Sequence, residues 1–251
     1  MFWNETRRLR LGRPAFIGIG ALFLIANSVS YAQDNARELA SNVINALGGL
    51  EAWETMPALA FDFVSENDGV VTTRRSHAWN KQSGSYMVEW TQKDGKAARA
   101  VYSDIYQKQG ECRLNGAPAP DSLAQELIDR GYAYFINDTY WLMMPFKLFD
   151  PGVKLKEVES EQRDGVTYRI LHLSFENVGL TPGDQYWLYI EPDTFLIKAW
   201  RYELEGGHRA MHLWEDYQPV GPVNLSLRRP AADSKRAIRF DNVSTTLPDG
   251  M

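Results

Sequence analysis

Apolar residues first recur at helical spacing. In NARELASNVINALGG, Leu39, Val43, Ile44 and Leu47 share one face, and Gly48-Gly49 supplies the stop. Ala52 to Pro57 reads as a short second turn ended by its proline. From Leu59 the period changes to two. Leu59, Phe61 and Phe63 alternate with Ala60, Asp62 and Val64, and Val71–Trp79 and Ser85–Trp90 continue in β-branched and aromatic style. The turn signals NDG, KQSG, KDG and LNG divide this region into five predicted strands between Leu59 and Leu114.

A helical block follows. Pro120-Asp121-Ser122 is a start signal, and Leu123, Leu127 and Ile128 open a face running toward Ile136. Asn137-Asp138-Thr139 offers a fresh N-cap, which predicts a second short helix that Pro145 ends at Met144. Phe146 to Phe149 should continue in extended or irregular form until Asp150-Pro151-Gly152 turns the chain. Strand patterning then returns in Leu155–Ser160, Val166–Phe175, Tyr186–Ile190, Leu196–Leu204, His212–Tyr217, Val223–Leu227 and Ala237–Val243. Turn signals with no helix between these runs predict an antiparallel meander, for about 11 strands in all, in an α+β chain.

The N-terminus adds a destination. Met1–Arg13 carries four arginines against one glutamate, and AFIGIGALFLIA is an uncharged run of 12 residues. Ser30 and Ala32 then provide small side chains at the spacing a signal peptidase needs. The run falls short of the roughly 20 apolar residues that span a bilayer. Residues 1–32 are therefore expected to be a secretory signal peptide cleaved near Ala32, and 33–251 a single domain that is soluble in the periplasm with no stable membrane anchor. The full chain has a net charge of −5 and loses mainly arginines with the leader, which argues against nucleic acid as a partner. Its one cysteine, Cys112, leaves an exported domain to be held by its core, to which eight Trp, twelve Tyr and eleven Phe contribute.

Candidate chemistry is sparse. His208 and His212 are four residues apart, but in a hairpin and strand that spacing covers roughly 13 Å, too far for one metal ion. His77 and His172 lie in predicted strands beside apolar neighbours. Asp150 and Asp184 occupy turn positions where Asp bonds its local backbone. No G-x-S-x-G elbow, Walker loop, dinucleotide loop or HExxH helix is present, and no cofactor is expected. An exported hydrolase using His77 or His172 with a nearby acid is the enzyme alternative.

The excess lies in aromatic residues. Gln185-Tyr186-Trp187-Leu188-Tyr189-Ile190 is bulky on both faces, so both sides of that strand need cover. The residues expected to line a hydrophobic cavity or its lid are Phe61, Phe63, Trp79, Trp90, Tyr140, Trp141, Met144, Phe146, Trp187 and Trp200.

Three stretches, ALGGLEAWETMPALAFDF, NDTYWLMMPFKLFDPGV and VGLTPGDQYWLYIEPDTFLIKAWRY, together with the element order behind a secretory leader, resemble the periplasmic lipoprotein-carrier superfamily and lipoprotein-sorting-like exported proteins. The resemblance implies a sheet curled into an incomplete β-barrel, with helices over its concave face and a cavity for acyl chains. It also implies a buried arginine that helps close the lid, for which Arg74, Arg75, Arg99 and Arg201 are all candidates. The expected function is that of a binding protein sheltering a lipid, acyl chain or lipoprotein. An envelope sensor or structural protein that turns the same apolar face to a protein partner is the other alternative.

Overall fold

The computed structural model describes residues 19–176 and 181–249, with side chains from residue 33 onward. Most of the expected leader, residues 1–18, lies outside the described residues; beyond it the backbone is helical through Ala32 as part of α1 (Ile19–Ala46). No helix among the described residues is long and apolar enough to cross a membrane. The predicted face of α1 is the one it buries: Leu39, Val43, Ile44 and Leu47 are at most 3% exposed. Its stop is also as read. Gly48 has a φ of 108°, and a Cβ there would come within 2.7 Å of the Pro222 carbonyl oxygen, so the residue must be glycine on both counts. The short α2 (Leu50–Thr55) then seats Trp53, whose ring stacks on Phe146 at 4.9 Å.

The five strands predicted in the first half are all present: β1 (Ala58–Asn67), β2 (Val70–Asn80), β3 (Tyr86–Thr91), β4 (Ala97–Asp104) and β5 (Gln109–Leu114). A two-residue β6 (Ala117–Pro118) follows them. After α3 (Asp121–Met143) and a 3-10 turn (Met144–Lys147) come β7 (Val153–Arg163), β8 (Val166–Phe175), β9 (Gln185–Ile190) and β10 (Ile197–Glu203). The chain ends with β11 (Arg209–Leu213), β12 (Glu215–Val220), β13 (Val223–Pro230) and β14 (Arg236–Ser244). They form two antiparallel sheets, one of nine strands in the order β12-β13-β14-β1-β2-β3-β4-β5-β6 and one of five in the order β11-β10-β9-β8-β7. The sheets do not close into a barrel. The run His212–Tyr217, which the sequence presents as one strand, is broken at Trp214, where the chain passes from the smaller sheet to the larger. Trp214 is buried against Trp200, and its backbone N–H donates to the Lys198 carbonyl. A lone bridge between His212 and Ala231 ties the two sheets beside this corner.

Helix α1 packs on β7 and β8, while α3 lies over β3, β4 and β5 and reaches β13. The structure replaces the two predicted helices of the middle block with one helix of 23 residues. Asp138 does not cap, because its carboxylate is engaged with the sheet. Thr139 donates its hydroxyl to the Phe135 carbonyl at 2.6 Å and stays within the helix. Where α3 crosses the sheet the contact is close: a Cβ on Gly131 would lie 2.5 Å from the Tyr102 hydroxyl and 3.0 Å from the Ala100 Cβ. Tyr102 in turn donates to the Ile128 carbonyl of the helix.

Gly131→Ala should therefore destabilise the protein, although alanine favours helices. Overpacking of this kind costs roughly 1–3 kcal/mol. The urea midpoint measures it, and a midpoint at or above that of the wild type would show that the crossing is looser than these distances imply.

Candidate functional site beneath helix α3

On β2, Trp79 points inward, and the period of two carries His77 and Arg75 onto the same face. Two polar groups thus face an apolar interior and need partners there. The partner comes from α3. Arg75 gives a two-pronged contact to Asp138, Nε to Oδ2 at 2.5 Å and Nη2 to Oδ1 at 2.7 Å. Its guanidinium lies between the rings of Phe63 and Tyr134, 4.5 and 4.3 Å from their centroids. His77 Nε2 sits 2.9 Å from Asp138 Oδ2 without the alignment of a full hydrogen bond, while its Nδ1 meets the Tyr86 hydroxyl at 2.5 Å. Asp138 is completely buried. Burial works to raise its carboxyl, but the contacts from His77 and Arg75 outweigh it and hold it below the ordinary carboxylate range. Burial also keeps the Tyr86 hydroxyl protonated far above neutral pH.

The far end of α3 rests on a second buried cation. Arg229 is the last inward position of the run Val223, Leu225, Leu227 on β13, and it is 0% exposed. It donates to the Ser226 carbonyl and hydroxyl at 2.8 and 2.5 Å, to the Arg228 carbonyl at 3.2 Å and to the Trp141 carbonyl of α3 at 3.3 Å. Its guanidinium lies 3.7 Å above the Trp214 ring. Burial lowers its pKa to about 9. Of the arginines the resemblance brought forward, Arg75 is the one seen to pair with a residue of α3 among the described contacts. Arg74 pairs with Asp62 and Asp241, Arg99 lies near Glu89, and Arg201 covers Trp187.

Nine of the ten residues expected around a cavity come together on the inward side. Phe61, Phe63, Trp79, Trp90, Met144, Phe146 and Trp200 are buried in one cluster, against which Tyr140 and Trp141 pack. Trp187 goes elsewhere. It lies on the opposite face of β9, in a smaller cluster with Ile170, Tyr189 and Ala199, because Leu188 and Ile190 take the inward positions. The space between sheet and helices is filled by the protein's own side chains: Trp141 meets Trp200 edge to face at 4.6 Å, and Phe135 meets Trp79 and Tyr86 at 5.2 and 4.9 Å. Two hollows meet at Gly110 and Glu111, the first on the sheet face of Val101, Ser103 and Glu111 that is turned away from α3, the second at the edge of the interior. One, of about 510 Å³, lies along β3–β5; the other, of about 270 Å³, separates β5 from Ala124, Gln125 and Ile128 of α3.

The remaining candidates are structural. His172 bonds Gln185 at 3.0 Å and stacks on Trp187, outside the main interior. His212 stacks on Tyr202, and no metal-binding group of His, Cys, Asp or Glu is found among the described residues. Asp184 holds its turn by accepting from Thr181 and from the Glu205 backbone. Cys112 is buried, which pushes its thiol up and away from the reactive thiolate. Asp138 and Arg229 were missed in the sequence as site residues. The signal for both was the inward phase of a strand: Arg75 and His77 in phase with Trp79, and Arg229 in phase with Val223 and Leu225.

No protein-family model and no curated protein matches the chain. Among solved structures it is similar to one described as an outer membrane lipoprotein-sorting protein domain from Vibrio parahaemolyticus, at 7% identity and a TM-score of 0.45 over 87% of this chain and 94% of that one. It is also similar to a LolA superfamily protein from Nitrosomonas europaea (13% identity, TM-score 0.42, 80% and 93% covered). A DUF1329 family protein from Desulfovibrio piger matches at 10% identity and a TM-score of 0.41 over 86% and 94%. Likenesses this distant say nothing about ligand or residue roles.

Asp138→Asn leaves Arg75 without an anion in a mostly buried setting, a loss of about 3–5 kcal/mol. The pH dependence follows from the depressed folded pKa. The carboxylate's stabilisation is complete above the unfolded value near pH 4 and is lost as pH falls through the lower folded value. Urea midpoints of wild type and variant should differ widely at pH 7 and converge toward pH 2. A gap of equal size at both pH values would remove this electrostatic account.

Proposed function

We propose that the protein is a carrier in the bacterial periplasm that shelters an acyl chain, carried by a lipid or a lipoprotein, between its sheets and α3. The observation that carries this reading is the way α3 and the 3-10 turn occupy the inward face. They fill it with adaptable apolar and aromatic bulk, Met143 and Met144 among it, while polar ties to the sheet among the described residues sit at separate points: Asp138 on Arg75 and His77, Ile128 on Tyr102 and Trp141 on Arg229. A guest chain would take the place of that bulk, with Trp200, Trp79, Phe61, Phe63, Trp90 and Phe146 as its surroundings and Tyr140, Trp141 and Met144 moving with the plug. The hollow between β5 and the start of α3 would give the chain a way in.

A hydrolase is less well supported. The His77 ring is closed in between Asp138 and Tyr86 in a fully buried setting, and His172 sits beside Gln185 on another face. Protein-partner binding is the second reading. It is favoured by the self-filled interior and by the partly exposed row of Tyr168, Trp187, Met211 and Leu213 on the outer face of the five-stranded sheet.

Opening of the plug sets the apparent affinity, because a site that is competent only part of the time binds in proportion to that fraction. Tyr102→Phe removes one tie worth about 0.5–1.5 kcal/mol. It should tighten binding of a fluorescent fatty acid by roughly two- to tenfold, the same energy expressed as a ratio. Native mass spectrometry of protein purified from its own envelope should in parallel show acyl-bearing ligands. A ligand-free protein that ignores the probe in both forms would defeat the carrier reading and leave the protein-partner one.

A further inference from the structure

Arg75 is mostly buried and Arg229 completely so, but of the two Arg75 alone has an anion. Every oxygen that Arg229 reaches is neutral: two carbonyls of its own strand, the Ser226 hydroxyl and the Trp141 carbonyl. No ion pair of Arg229 is present among the described residues, and its Nε has no partner. The faces of Trp214 and Phe240, at 3.7 and 5.7 Å, offset part of the charge but supply no oxygen to the free N–H.

The orphan donor is not alone. Of the partnerless buried groups among the described residues, which include the indoles of Trp79 and Trp90 elsewhere in the core, the indole N–H groups of Trp200 and Trp214 and the Nδ1 of His212 gather at this corner. These side chains belong to one knot. Trp200 and Trp214 have ring centroids 5.5 Å apart, and Trp141 touches Trp200 and His212 at 4.6 and 5.0 Å. Buried donors normally find acceptors, so the Arg229 Nε and the two indole N–H groups beside an uncompensated guanidinium suit an acceptor that is rich in oxygen and negatively charged. The Trp141 carbonyl is what fills that role now. It lies in the last turn of α3, among the carbonyls without a partner inside the helix, and carries the partial negative charge of a helix C-terminus.

We infer that the corner formed by Arg229, Trp200, Trp214 and His212 seats the anionic head group of an acyl ligand, a carboxylate or phosphate that replaces the Trp141 carbonyl when α3 lifts. This rests on the carrier reading and adds to it the charge of the cargo. The head group is held by the guanidinium and the two indoles, and the chain extends into the space that the plug vacates. Cargo without a charged head leaves the same donors unfilled and is discriminated against for that reason.

The test is calorimetric titration of the full chain with three ligands of one chain length: oleate, oleoyl lysophosphatidate and neutral monoolein. At least one of the two anions should bind roughly tenfold or more tightly than monoolein, and which of them does so identifies the head group. In Arg229→Met this preference should fall to within about twofold while monoolein still binds, and Arg229→Lys should keep part of it. Trp214→Phe, which retains a ring and removes one donor, should lower the preference even if Arg229→Met does not fold. Equal binding of all three ligands to the wild type, or a preference unchanged in the folded variants, overturns the anionic seat and leaves the carrier reading standing. Binding of none of them overturns both.

Discussion

A carboxylate with no exposure at all is the constraint on which the arrangement of this protein turns. Asp138 could not stay ionised between a helix and a sheet unless a cation came to it, and the only route is from the inward face of β2. That requirement fixes several things together. It sets the rotation of α3, because Asp138 must face β2. It sets its height above the sheet, because the two-pronged contact from Arg75 tolerates little slack, and Gly131 and the Ile128 carbonyl that Tyr102 holds are matched to that height about two and three turns earlier. An apolar pair of similar volume would hold the helix at least as firmly. What the ion pair contributes is one defined seat, since an apolar stripe can slide and a buried charge cannot.

The phase of the strands explains what the sequence disclosed and what it hid. Turn signals and alternation located the first five strands because each turn there is a tight hairpin with its own chemistry, independent of what the sheet packs against. The corner at Trp214 was hidden because it depends on contacts with Trp200 and Lys198, which are remote in sequence. Asn137-Asp138-Thr139 misled for a related reason. The side chains that cap helices are also those that can be buried in an ion pair, and only the partner decides between the two. Arg229 follows a second arginine and precedes a proline, a context that reads as an exposed strand end. Counting inward positions from Val223 carries the face through to it, as it carries Arg75 from Trp79. For Trp187 the sequence supplied two apolar faces and no means of ranking them.

An interior filled by its own side chains does not count against a carrier when the energies are compared. Burying a sixteen-carbon chain is worth roughly 13 kcal/mol at about 0.8 kcal/mol per methylene. Lifting the plug exposes side chains such as Trp141, Leu142, Met143, Met144 and Phe146, each worth about 1.5–3 kcal/mol when fully buried, for a total of roughly 8–15 kcal/mol. The two sums overlap. On the carrier reading a ligand would therefore replace the plug with a small net change, which is what a protein needs if it is both to take up and to release a greasy cargo. A cavity standing open in water would bind so tightly that release required an outside source of energy. With the apolar terms so nearly balanced, the polar ties at Asp138, Ile128 and Trp141 are left to decide which occupant prevails. On the proposed reading, the buried guanidinium of Arg229, which finds only neutral oxygens in the closed state, supplies the bias toward cargo.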